Sequence, residues 1–296
     1  MAGTLKYVLY RKEELLEDGR LSLAVGQLFR DLMRHDITLI DLCELPGDGT
    51  EMFQGEKGSL LDEALLIAAR DDTLNAAKHL PLAVLAYRNP KILGQELYGT
   101  DFLVESFEEV DFYFLERVYQ RKHGIPWRVI DTSRCYLREI TLKDLPDLYR
   151  LYEGEGITDY VEPLFEWQEE VEYTRAYIEN MYPYFGYGMW IVMDRNTHEL
   201  IGRAGLNPNI VGDEYLLEMG YIISAKRQRQ GLGTEVCRAV LDYAKEADLG
   251  FEKVYCFVQK GNRASLALLG RLGFAYEREE MREGKEMLRF SYDLRE

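Results

Sequence analysis

Histidine and cysteine are scarce in this chain of 296 residues, with four of each. His35, His79, His123 and His198 stand apart, in no H-E-x-x-H or G-x-S-x-G context. A zinc-peptidase helix and a serine-hydrolase elbow are therefore not expected, and no metal site is. Cys43, Cys135, Cys237 and Cys256 are scattered without a C-x-x-C. This argues against a zinc ribbon or dithiol redox pair and reads as buried free thiols in a cytoplasmic protein. No apolar run approaches ~18 residues, so no membrane-spanning helix is predicted. The opening MAGTLKYVLYRKEELL lacks the apolar core and small-residue cleavage site of a secretory signal. Positive charge is also short: 36 basic residues against 52 acidic ones leave a net charge of −16. That field argues against nucleic acid and anionic membrane as partners. It suits a cationic amine, although a solvated acidic surface is the plainer account.

What is present is a folded α/β pattern, with a 47% apolar content well above that of disordered chains. The length allows one large domain or two ordinary ones. Residues 1–130 read as a first unit with candidate strands Tyr7–Tyr10, Ile37–Leu42, Leu65–Ala69, Leu82–Tyr87 and Phe102–Glu105. Helical stretches Leu21–Arg34, Thr73–His79 and Val110–His123 lie between them. Short apolar strands alternating with helices predict a small parallel-sheet βαβ domain. Pro46–Ser59 is polar and Gly-rich, fits no nucleotide-loop pattern, and reads as a surface loop. Pro126 stops the last helix, and Arg128–Thr132 is either a linker or a pairing strand.

Residues 131–296 read differently. A strand over Cys135–Ile140 is followed by Thr141 with Asp144 three residues on, close to a capping box. Helices to about Tyr152 and over Glu166–Tyr182 follow. Then come a hairpin of Trp190–Asp194 with Leu200–Leu206 and a central strand Leu216–Ser224. A helix over Gly231–Ala247, a strand Lys253–Val258, a helix Asn262–Leu272 and a terminal hairpin complete the unit. The most informative stretch is Gln228-Arg229-Gln230-Gly231-Leu232-Gly233, after an apolar strand and before an amphipathic helix. Glycines at a helix N-terminus let backbone N–H groups approach a phosphate with no Cβ in the way, and the helix dipole favours the negative charge.

Three motifs in one order carry a resemblance: Glu218-Met219-Gly220-Tyr221, then the phosphate loop Q/R-x-x-G-x-G/A filled by Gln228, Gly231 and Gly233, then Asn262-Arg263-Ala264-Ser265 with Leu272-Gly273-Phe274. Together they resemble the GCN5-related N-acetyltransferase (GNAT) family, in its ribosomal-protein-acetylating (RimJ/RimL-like) branch, from about Arg134 onward. The resemblance implies a mixed, mostly antiparallel sheet flanked by helices. It also implies acetyl-CoA as co-substrate and an acetyl group moved to a primary amine by direct attack. It assigns backbone N–H groups of Gly231, Leu232, Gly233 and Thr234 to the diphosphate, with Gln228 and Gln230 in the same loop. Main-chain groups of Tyr221, Ile222 and Ile223 are assigned to the pantetheine. Arg227 and Arg229 are either phosphate partners or exposed loop cations. Asn262 is a pantetheine partner, a helix N-cap, or both. Glu218 is the implied general base, against the plainer reading of an ion-paired strand glutamate.

Leu269 stands where many relatives carry an acid tyrosine, so Ser265 or water is left for the leaving thiolate. Tyr152, Asp159, Tyr160, Glu162, Phe165 and Trp167 fall in the segment that lines the acceptor side, or are ordinary loop packing. The acceptor, a small molecule or a protein N-terminus, is not specified, and a homodimer is left open. The first unit weakly resembles a degenerate haloacid-dehalogenase-like domain, through Leu66–Thr73, Asn75–Pro81 and Phe102–Val110. Its first strand ends Leu9-Tyr10-Arg11-Lys12, without the aspartate nucleophile of D-x-D-x-T. It therefore reads as non-catalytic, with Asp71 and Asp72 as helix cap and first-turn carboxylate. A bifunctional acetyltransferase/phosphohydrolase and a non-catalytic acyl-CoA sensor are the alternatives.

Overall fold

A computed structural model describes residues 4–45 and 60–295. The loop expected over Pro46–Ser59 lies outside the described residues. The chain divides into two compact units, Met1–Trp127 and Arg128–Glu296.

The first unit is a five-stranded parallel sheet in the order β4-β1-β5-β6-β7. Its strands are β1 (Tyr7–Tyr10), β4 (Thr38–Asp41), β5 (Ala64–Ala68), β6 (Ala83–Tyr87) and β7 (Leu103–Val104); β2 (Leu16–Glu17) and β3 (Arg20–Leu21) form a separate small hairpin. Helices α1 (Lys12–Leu15), α2 (Leu23–Arg34), α3 (Asp71–Ala77) and α4 (Phe112–Lys122) fill the connections. All five residues of β5 are buried, which a parallel strand requires when both faces are covered. The pleat sends Leu65 and Ile67 into one core, with Leu28 and Leu32 of α2 and Leu115 of α4. Leu66 and Ala68 go into another, with Leu74 and Ala77 of α3.

Asp71 does not cap α3, whose N-cap is Arg70; Asp71 and Asp72 both stand in the first turn, as expected of one of them. Asp71 instead accepts from the Leu97 N–H at 2.6 Å, and Asp72 from Thr73 N–H at 2.9 Å. A further carboxylate, fully buried Glu14, also reaches the head of α3. It accepts from Ala69 N–H at 2.6 Å, Arg70 N–H at 3.1 Å and the Thr73 hydroxyl at 2.5 Å. Burial nevertheless holds its pKa above the ordinary glutamate range.

The second unit begins with β8 (Arg128–Asp131), which pairs antiparallel with β9 (Cys135–Arg138). That pairing is why the division falls after Trp127 and not after residue 130. Next come α5 (Leu145–Tyr152), α6 (Trp167–Phe185), β10 (Met189–Asp194), β11 (Leu200–Val211) and β12 (Glu214–Ile223). The unit ends with α7 (Leu232–Glu246), β13 (Lys253–Gln259), α8 (Arg263–Leu272), β14 (Ala275–Arg282) and β15 (Lys285–Asp293). The eight strands run β14-β15-β13-β12-β11-β10-β9-β8. Only the β12–β13 pair is parallel, so the sheet is mixed and mostly antiparallel. The start of α5 is fixed by Asp144, which accepts from Thr141 N–H at 2.7 Å and is held by Arg138 at 2.7 Å. Val236, Val240, Leu241 and Ala244 are buried on α7, the face that helical spacing predicts. Cys135, Cys237 and Cys256 are buried free thiols, while Cys43 in the first unit is half-buried.

Candidate active site

β12 organises the site. It pairs with β11 along its whole length, from Val211↔Glu214 to Gly202↔Ile223. Its pairing with β13 stops after Leu217↔Val254 and Glu218↔Tyr255. Beyond that point the two parallel strands form no ladder, and a seam opens in the middle of the sheet. The segment Tyr221–Ile223 borders it.

The pleat gives the seam two sides. Ile223 reaches α7 and α8: a Cβ on Gly233 would lie 3.9 Å from it and 3.8 Å from Leu268. Tyr221 shares that side. Glu218, opposite Asn207, faces the other way, toward α6, whose Tyr177 hydroxyl donates to Asn207 at 2.9 Å.

At the end of β12 the chain turns into α7 through the glycine loop. Gln228 braces the turn by donating to the Ile223 carbonyl at 3.0 Å. Arg229 and Gly231 both take positive φ, +58° and +79°, and Gly231 is the N-cap of α7. The loop is held from the β8–β9 side by Arg134, which donates to the Gln230 carbonyl at 2.9 Å and pairs with Glu235 of α7 at 2.7 Å. Burial pushes the Glu235 carboxyl up, but bonds from Arg134 and Thr132 outweigh it and leave the pKa below the ordinary range.

A cavity of about 570 Å³ lies along this loop and the seam. Of the residues singled out from sequence, Tyr221, Ile222, Ile223, Gln228, Arg229, Gly231, Gly233, Thr234, Asn262 and Ser265 line it. Leu232 is buried under the helix instead. Gln230 donates to the Lys226 carbonyl at 3.2 Å, away from the cavity. Arg227 does not line it either, being ion-paired with Asp194 of β10. Asn262 is the N-cap of α8: its side-chain oxygen accepts from Ser265 N–H at 3.1 Å. Leu269 is fully buried.

Glu218 stands outside the cavity lining, on the α6 side. Its Oε2 accepts from Asn209 at 2.9 Å and pairs with Arg282 of β14 at 2.8 Å. Arg282 in turn lies over the Phe257 ring, 4.6 Å from its centroid. Of the acceptor-side residues only Tyr160 reaches the cavity. Glu162 pairs with Lys285, and Phe165 and Trp167 are exposed.

Sequence reasoning missed two cations of the wall, Arg263 and Arg271, on α8. Their signal was available, since Arg263, Ala267 and Arg271 are spaced four apart and share one helix face. With Arg229 they make three guanidinium groups around the loop, and none has an ion-pair partner among the described residues.

Residues 134–275 match the family model of the acetyltransferase (GNAT) domain. The second unit is a GNAT domain. Two proteins of Bacillus subtilis (strain 168) are similar to it. The uncharacterized N-acetyltransferase YoaA is 29% identical over 152 residues, spanning 50% of this chain and 84% of its own length. The uncharacterized protein YkkB is 26% identical over 148 residues, spanning 50% and 85%. Among solved structures, an acetyltransferase from Agrobacterium tumefaciens str. C58 aligns with a TM-score of 0.47 at 24% identity, over 55% of this chain and 92% of that one. Acetyl-CoA is the co-substrate of this GNAT family, and the polar lining fits it. Backbone N–H groups at the head of α7, with Arg229, Arg263 and Arg271, suit a phosphate-rich ligand.

Proposed function

We propose that the protein is an N-acetyltransferase that moves the acetyl group of acetyl-CoA to a primary amine by direct attack. One observation carries this reading: a glycine-turned helix N-terminus and three arginines without an ion-pair partner among the described residues border a cavity whose wall includes Tyr221–Ile223, beside the seam of the sheet. The first part is suited to phosphates and the second to an extended amide-bearing arm. In this reading Gln228–Thr234 hold the diphosphate, main-chain groups of Tyr221–Ile223 hold the pantetheine, and a backbone N–H of that stretch steadies the oxyanion.

Glu218 is the general base. It faces the acceptor side, and Asn209 and Arg282 orient its carboxylate on one oxygen. An alkylammonium must lose a proton before it attacks, and a positioned carboxylate accepts it directly or through water. The net charge of −16 suits a cationic acceptor. No observation favours a phosphohydrolase in the first unit, whose first strand ends without a carboxylate nucleophile.

The test is a screen of primary amines with acetyl-CoA, read as free thiol release. With an acceptor in hand, Glu218→Gln should lower kcat/KM by ~10²-fold at neutral pH and leave acetyl-CoA affinity nearly unchanged. The loss should shrink at high pH, where more of the amine is already neutral. Undiminished turnover across the pH range would move the base elsewhere.

A further inference from the structure

A buried hydroxyl without a hydrogen bond has lost its water with nothing in return, so each such group asks for an explanation. The Tyr221 hydroxyl is one. Its oxygen is shielded from solvent and makes no hydrogen bond of normal geometry among the described residues, yet the residue forms part of the cavity wall. It stands two residues past Met219, where the seam has just opened. The pleat turns its ring to the side of α7 and α8, where the Ser265 side chain acts on it.

We propose that the Tyr221 phenol is the proton donor to the departing CoA sulfur, a role that rests on the acetyl-transfer reading above. Leu269, one turn past Ser265 on α8, is apolar and fully buried and offers no proton. The neighbouring thiols are no substitute. Cys237 is sealed in the core, and Cys256 is already engaged with the Met219 carbonyl at 3.4 Å. Burial holds the Tyr221 phenol far above its ordinary pKa, with Cys256 adding to the rise and Ser265 opposing it. The phenol therefore keeps its proton throughout the physiological range.

The step balances. The amine nitrogen bonds to the thioester carbon, the C–S bond breaks, and the electron pair stays on sulfur. The phenol proton goes to that sulfur, and the phenolate regains a proton from water through the Ser265 hydroxyl. The proton shed by the amine leaves through Glu218. Three positions apart on one strand, Glu218 and Tyr221 point to opposite faces of the sheet. Base and acid thus stand on the entry and exit sides of one seam.

Two measurements test this. First, Tyr221→Phe keeps the ring and removes the proton. It should lower kcat by ~10²-fold with the Kd for acetyl-CoA unchanged, whereas turnover at the wild-type rate overturns the assignment. Second, Tyr221 replaced by 3-fluorotyrosine reports contact without turnover. Its fluorine resonance should shift on adding CoA and shift distinctly less with desulfo-CoA, which lacks the sulfur. Equal shifts with both overturn the proposal, including when the Phe variant does not fold. If the wild type releases no thiol with any amine while the two ligands still differ at the fluorine, the acetyl-transfer reading fails and the sulfur contact stands.

Discussion

At the scale of single residues, the glycine turn at the head of α7 was legible because glycines there have few other uses. Gly231 adopts φ +79°, a conformation that a β-branched residue resists, and a Cβ there would lie 3.6 Å from the Arg134 guanidinium. Gly231→Val should therefore both destabilise the loop and abolish acetyl-CoA binding. Gly233→Ala should do neither. Its added Cβ would meet Leu268 and Ile223 only at ordinary contact distance, and alanine in a helix gains about 0.5–1 kcal/mol over glycine. Thermal melts and acetyl-CoA titrations of the two variants separate the effects; tight binding by Gly231→Val would show that the loop is misassigned. Arg227 was not legible in the same way. Its cation looks identical in sequence to that of Arg229, but its partner Asp194 is 33 positions away. Tyr221 was read for its main chain alone, because nothing local shows which way a strand side chain points until the sheet is assembled.

At the scale of elements, the strands β1, β5 and β6 were visible as apolar runs because both sheet faces are covered there. The β2–β3 hairpin was not, since two residues a side carry no periodicity. The β11–β12 hairpin runs further than its pattern suggested, to Val211 and Glu214. Asn207-Pro208-Asn209 looks like a strand end, yet Pro208 sits opposite Leu217 inside the ladder. Proline is tolerated in a strand where a ladder bond is absent. The polar face of that extension is what holds Glu218, through Asn209. The aspartates in the first turn of α3 were legible, but local sequence cannot show a glutamate 55 positions away folding back onto Ala69.

At the scale of the whole molecule, each unit has its own apolar core: one cluster in the second unit and two in the first. We propose that they unfold as separate cooperative blocks. Calorimetry should then resolve two transitions, with acetyl-CoA raising only that of the second unit, by mass action on its folded form. The first should respond to pH through Glu14. A carboxyl whose folded pKa is raised binds protons more tightly when folded. Its contribution is complete below the unfolded pKa and is lost as pH rises through the folded one. Stability of the first block should fall over that window, and Glu14→Gln should flatten the slope. A single transition that acetyl-CoA shifts as a whole would mean that the halves are not independent. The seam in the second unit has a consequence of another kind. The centre of an eight-stranded sheet is ordinarily its slowest place to trade amide hydrogen for deuterium. Here alternate amides between Met219 and Ile223 face the parted strand and should exchange like those of an outer edge. Their protection would arrive with the ligand, which makes acetyl-CoA, in effect, the missing ladder of the sheet.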